Sequence, residues 1–181
     1  MGDYMKNKTK IIIAAIVIAI IAIWYFATRE YRVISAADLE ARAKAEILNY
    51  KYYKSTQFLF WDRTVKVEIT NVNVKLLKGG RIRITDCSFD IFWQEGKIPL
   101  RWRPVLSGEG NIIQKGDTLY VQDIYLNKTG VATDTYDINK KISELVNKLL
   151  REKSFAIYKD ERLSSVKVRL AQDGIYAKLN L

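Results

Sequence analysis

The stretch VKVEITNVNVKL, residues 65–76, alternates apolar and polar side chains through Val65, Val67 and Ile69, then changes parity and resumes at Val72, Val74 and Leu76. Period-two alternation marks a strand with one face on a core. A change of parity would turn the apolar set to the wrong face unless one residue is extra. A β-bulge near Thr70 and Asn71 supplies that residue and bends the strand. After the Gly79-Gly80 turn the device recurs, with Ile82 and Ile84 followed by Cys87, Phe89, Ile91 and Trp93. Two long bulged strands predict a strongly curved antiparallel sheet.

Downstream, a third strand region runs from about Leu100 to Ile113, where Pro99 and Pro104 limit ladder hydrogen bonds. The turn Lys115-Gly116-Asp117 leads to a fourth strand carrying Leu119, Val121, Ile124 and Leu126. After Tyr136 the period becomes 3.6: Ile138, Ile142, Leu145, Val146, Leu149 and Leu150 share a stripe opposite Lys140, Lys141, Glu144, Lys148 and Arg151. Asp137 is placed as its N-cap. Val166, Val168 and Leu170, then Ile175, Ala177 and Leu179, form a last hairpin about Asp173-Gly174. Upstream, Ser35 and Asp38 make an S-x-x-D capping pattern before Leu39, Ala43, Ile47 and Tyr50, which predicts a short helix. The expected class is α+β, a curved antiparallel sheet wrapped around a long amphipathic helix.

Residues 11–27 read IIIAAIVIAIIAIWYFA, with no charge between Lys10 and Arg29. The run is long enough for a transmembrane helix. It is longer than a signal-peptide core and ends in bulky Trp24, Tyr25 and Phe26, although Val33 and Ser35 leave a weak cleavage site. Lys6, Lys8 and Lys10 before it orient the N-terminus inward. The expected organisation is therefore a cytoplasmic N-terminus at 1–10, a span at 11–28 and a periplasmic domain at 29–181, single-pass in a bacterial inner membrane. Lys10, Trp24 and Tyr25 are the expected membrane-interface residues.

Among 181 residues there are 30 Lys and Arg, 20 Asp and Glu, one Cys and no His. Without His there is no Ser-His-Asp triad, histidine base or imidazole metal site. Cys87 reads as a small buried hydrophobe. Asp86, Asp90 and Glu95 lie in or beside strands, and turn or solvated roles outweigh paired acid–base work. Gly108, Gly110 and Gly116 do not form a phosphate loop. The Asn7 and Asn127 sequons matter only in a eukaryotic secretory setting. No catalytic residue, cofactor or metal is expected.

A net charge of +10 favours an anionic surface. Lys97, Arg101, Trp102 and Arg103 interleave cations with an aromatic and are candidate contacts for it, beside the plainer alternative of a solvated strand with Trp102 in the core. Nucleic acid is disfavoured by the expected topology. A second candidate is an apolar cleft between helix and sheet, lined by Ile142, Leu145, Leu149, Phe89, Ile91, Leu119 and Val121. A filled core gives the same periodicity.

The order of VEITNVNVKL, the glycine turn with RIRI, SGEGNIIQKGDTLYVQDIYLNK and KKISELVNKLLREKSFAIYKD resembles the YceB-like family of small bacterial envelope lipoproteins, over roughly residues 36–181. The resemblance implies a domain similar to the tubular lipid-binding fold and assigns no reaction. The chain departs from that pattern in having an apolar segment where the family has a lipidated Cys, and Ala156 where a Pro is expected. The function expected is non-enzymatic binding of a membrane lipid or other hydrophobic ligand. The alternative is an accessory subunit of a larger inner-membrane complex.

Overall fold

A computed structural model of the chain describes residues 13, 15–25, 29–58, 61–128 and 138–179. Strands account for 58% of it, in a sheet curled into a half-barrel with three short helices. The order after helix α1 (residues 15–25) is β1 (Tyr31–Ser35), α2 (Ala36–Leu48), β2 (Lys51–Phe58), β3 (Trp61–Leu76), β4 (Arg81–Glu95), β5 (Ile98–Trp102), β6 (Val105–Lys115), β7 (Thr118–Lys128), α3 (Ile138–Arg151), β8 (Phe155–Lys159), β9 (Val166–Ala171) and β10 (Gly174–Leu179). The large sheet runs β2-β3-β4-β6-β7-β8, and β5 takes over beside β4 where β6 leaves it. A second sheet, β1-β10-β9, packs at the Gly79-Gly80 end. Every pairing is antiparallel.

The parity changes do what the sequence requires. The β3–β4 register shifts between Ile69 and Asn73, and β4–β6 shifts between Ile84 and Cys87, so Ile69, Val72, Ile84, Cys87 and Phe89 all stay buried. Asp86 takes a left-handed φ of 52° at its bulge, and Asp123 repeats that φ in β7 opposite the β6 irregularity. Such conformations are tolerated by Asp better than by bulkier residues. Asn71 Nδ2 donates to the Asp86 carbonyl at 3.4 Å and Asn73 Nδ2 to its carboxylate at 3.2 Å, tying the bent strands together. Where β6 crosses β7, a Cβ on Gly108 would lie 1.9 Å from the Tyr125 carbonyl oxygen, so only glycine fits.

Ser35 caps α2 by accepting from the Asp38 amide at 3.1 Å, as the spacing predicts. Leu39, Ala43 and Ile47 bury against β3 and β8, and Glu40 accepts from the Leu76 amide at 2.7 Å. Burial of Leu39 and Ile47 is worth roughly 3–6 kcal/mol together. The expected third strand is two, β5 and β6, broken at Pro104, which has no amide to donate.

The expected α+β class is corrected by the strand content and by the place of α3. That helix is 14 residues, about 21 Å at 1.5 Å per residue, against about 53 Å for the 16 residues of β3. Among the described residues no long helix is gripped by the sheet. β8 pairs with β7 only as far as Val121, and α3 lies against β7 beyond it. Asn147, 8% exposed, accepts from the Leu126 amide at 2.7 Å and donates to its carbonyl at 2.8 Å. Its amide thereby stands in for the missing strand, while Val146, Leu149 and Leu150 bury beside it. The Asp137 cap lies outside the described residues.

The single-pass placement is corrected as well. Among the described residues, no helix is long and apolar enough to cross a membrane. The described part of α1, residues 15–25, covers about 16 Å, roughly half a hydrocarbon core. The expected span at 11–28, the inward N-terminus and the periplasmic side of an inner membrane all rested on that helix.

Replacing Asn147 by Ala leaves two buried backbone groups of Leu126 without partners, at about 1–3 kcal/mol each. Urea unfolding of Asn147→Ala should show a loss of roughly 2–5 kcal/mol. Gly108→Ala should give no cooperative unfolding transition, because the β6–β7 ladder cannot close around a methyl group.

Candidate functional site

Pairing across β2, β3, β4 and β5 sets four residues on each rung of the sheet's outer half. Tyr52, Val67, Ile91 and Trp102 share one concave rung, and Lys54, Val65, Trp93 and Leu100 the next. The inner members are covered: Val67 and Ile91 are buried in the core. One rung outward the cover ends. Val65 and Trp93 are half-buried, Leu100 is 46% exposed, and Tyr52 and Trp102 only edge against the core. The result is an uncovered apolar face at the open end of the half-barrel.

Cations border this face. The Arg63 guanidinium lies 4.5 Å over the Trp93 ring and 3.4 Å from Glu95, and Lys54 stands on the Trp93 rung. On the convex side the rung is Tyr53, Lys66, Phe92 and Arg101, with Lys66 Nζ 5.5 Å from the Tyr53 ring and 5.9 Å from Phe92. Between β2 and β3, the two residues joining Phe58 to Trp61 in sequence are Leu59 and Phe60.

Strand alternation divides the predicted cluster at 97–103. Lys97 is exposed in the β4–β5 turn. Arg101 and Arg103 face the convex side and share Asp90: Arg101 makes a two-pronged contact, with Nε to Oδ1 at 2.7 Å, and Arg103 approaches to 3.9 Å. The Arg101 guanidinium holds the Asp90 carboxyl below its ordinary range. Trp102 points the other way, toward the core.

The predicted cleft residues Phe89, Ile91, Leu119 and Val121 are at most 1% exposed, which leaves no water-sized space against them. Leu149 is buried and Leu145 packs partly on the same core, while the side chain of Ile142 lies outside the described residues. Of the interface residues, Trp24 and Tyr25 are exposed on α1, and Lys10 lies outside the described residues. Tyr52, Val65, Trp93 and Leu100 were missed as site residues. Each is visible as an apolar strand position, but nothing in a sequence says where the helices stop covering a face.

Several of the remaining polar groups are paired. Among the described residues no three His, Cys, Asp or Glu side chains could hold a metal ion. Glu95 pairs with Arg63, Asp90 with Arg101, and Asp86 with Asn73. The depression between α2 and β8 has its cations engaged too, Arg42 over Tyr158 at 5.3 Å and Lys159 with Asp117 at 3.5 Å. Burial pushes the Cys87 thiol up to about 12. Comparison with known protein families and with characterised proteins finds no match for the chain.

Because the folded thiol ionises at a higher pH than an unfolded one, Cys87 costs nothing below about pH 9 and withdraws stability as pH rises from there toward 12. The stability of the natural chain should therefore fall more steeply over that window than that of Cys87→Val, as read by urea unfolding at a series of pH values.

Proposed function

We propose that this domain is a non-catalytic binding module that holds a hydrophobic, lipid-type ligand against the uncovered end of its curled sheet. The observation that carries the reading is the rung of Val65, Trp93 and Leu100, a concave continuation of the core face that no described helix covers. Apolar area left in water costs about 25 cal/mol per Å2, and a ligand lying on this rung recovers it. Exposed large apolar groups elsewhere, such as Tyr31, Val105 and Tyr125, do not share one rung of the sheet.

The lining has few hydrogen-bonding groups, which favours an acyl chain or a fused ring over a sugar or a peptide. Lys54 and Arg63 stand at its margin, where an anionic head group would meet water. The YceB-like resemblance leads to the same ligand class. In this proposal the ligand lies on the open end of the sheet, and the filled interior around Leu119 and Val121 takes no part.

Titration of the full chain with cis-parinaric acid should give saturable fluorescence. Leu100→Asp should weaken binding at least about tenfold, the equivalent of losing one buried leucine, with little change in unfolding midpoint because Leu100 is half exposed already. Equal binding by both proteins, or no binding by the natural chain, would overturn the reading.

A further inference from the structure

We infer that the end of the domain where β2 meets β3 and β4 meets β5 docks on the surface of an anionic phospholipid bilayer. This goes beyond the ligand reading, since it concerns what the end rests against rather than what fills the concave face. It needs no spanning helix.

The long hairpins bring two strand junctions to one extremity, the last rungs being Phe58 with Trp61 and Arg63 with Glu95 and Ile98. An extremity of this kind meets a plane, whereas a groove would be needed to enclose a peptide. Both faces of it pair an aromatic ring with a cation: Trp93 under Arg63 and beside Lys54 on the concave side, Tyr53 beside Lys66 on the convex side. Tyr53 is 63% exposed. Tyr and Trp with Lys and Arg at one level are the side chains that suit a headgroup region, the rings taking the boundary and the cations the lipid phosphates.

Charge selects the kind of bilayer. Residues 51–68 and 90–103 hold seven cations (Lys51, Lys54, Arg63, Lys66, Lys97, Arg101 and Arg103) against four carboxylates (Asp62, Glu68, Asp90 and Glu95), a surplus of three. Glu68 pairs with Lys51 and Asp90 with Arg101, inward of the last rungs. Lys54 and Lys97 are exposed at the extremity and make no ion pair with a described carboxylate within 4.0 Å. The opposite end, around Lys75, Lys78, Arg81 and Arg83, is basic too and carries the exposed ring of Tyr125 on the Arg83–Glu109 rung, but among the described residues it has no uncovered concave rung like that of Val65, Trp93 and Leu100. That rung therefore decides which end docks, and the cations decide which lipid.

The test places an environment-sensitive thiol dye at either end of the full chain, in a Cys87→Val background: Leu100→Cys at the open end and Lys78→Cys at the other. Vesicles of one part phosphatidylglycerol to two parts phosphatidylcholine should shift the dye at 100 to the blue and leave the dye at 78 unchanged. Pure phosphatidylcholine vesicles should give little shift, and added salt should reverse the anionic one. Lys54→Glu together with Lys97→Glu should weaken vesicle binding at least about tenfold, since each cation near such a surface contributes about fivefold. Circular dichroism and the urea midpoint of that variant confirm that it is folded. A shift at 78 instead of 100, an equal shift on uncharged vesicles, or no shift on any would overturn the inference. Retained cis-parinaric acid binding beside any of those results removes the docking and leaves the ligand reading intact; docking without cis-parinaric acid binding does the reverse.

Discussion

A line of irregular backbone crosses the large sheet through Asn71, Asp86, Gly110 and Asp123, and the half-barrel depends on it. Each strand must keep its apolar side chains on one face while bending, and a regular two-residue period cannot do both. One extra residue per strand resolves the conflict, at the cost of a left-handed backbone at Asp86 and Asp123. The bend brings β3 and β8 within reach of the same short helix, α2, whose Leu39, Ala43 and Ile47 then fill the concave side. The core and its uncovered end are both products of that line.

This constraint was legible in the sequence, because the parity changes at Thr70-Asn71 and between Ile84 and Cys87 are countable. So were the Ser35 cap and the hairpin at Asp173-Gly174. Less was legible where tertiary context decides. KYYKSTQF, which forms β2, has no clean alternation because it is an edge strand with little to bury. The stripe on α3 was read as the grip of a tube, yet its decisive residue is Asn147, whose polarity makes sense only beside the unpaired edge of β7. The N-terminal run is apolar throughout, yet no described helix there is long enough to cross a membrane. At the site, Lys97, Arg101, Trp102 and Arg103 are neighbours in sequence and are parted by the pleat, whereas Val65, Trp93 and Leu100 are distant in sequence and share a rung.

The proposed binding draws on the chemistry of the outer half. An acid–base residue needs a carboxylate poised near neutrality, and pairing with Arg101 moves Asp90 in the opposite direction. Asp160 is likewise held far below its ordinary range by Arg162. What the outer half does present is apolar area and fixed positive charge, on strands whose positions are set by the ladder rather than by loops.

β3 and β4 run unbroken from the Gly79-Gly80 turn to the open end, so the outer half inherits its facing from the inner half. Beyond the bulge alternate rungs face opposite sides, the apolar Tyr52, Val67, Ile91 and Trp102 one way and the more polar Tyr53, Lys66, Phe92 and Arg101 the other. Deleting one residue at the bulge of each strand would turn the outer half over, exchanging its two surfaces and carrying Val67, Ile69, Phe89 and Ile91 out of the core. The bulge thus acts as a hinge in sequence space: a change of one codon per strand would re-aim the whole outer surface without altering a single side chain on it.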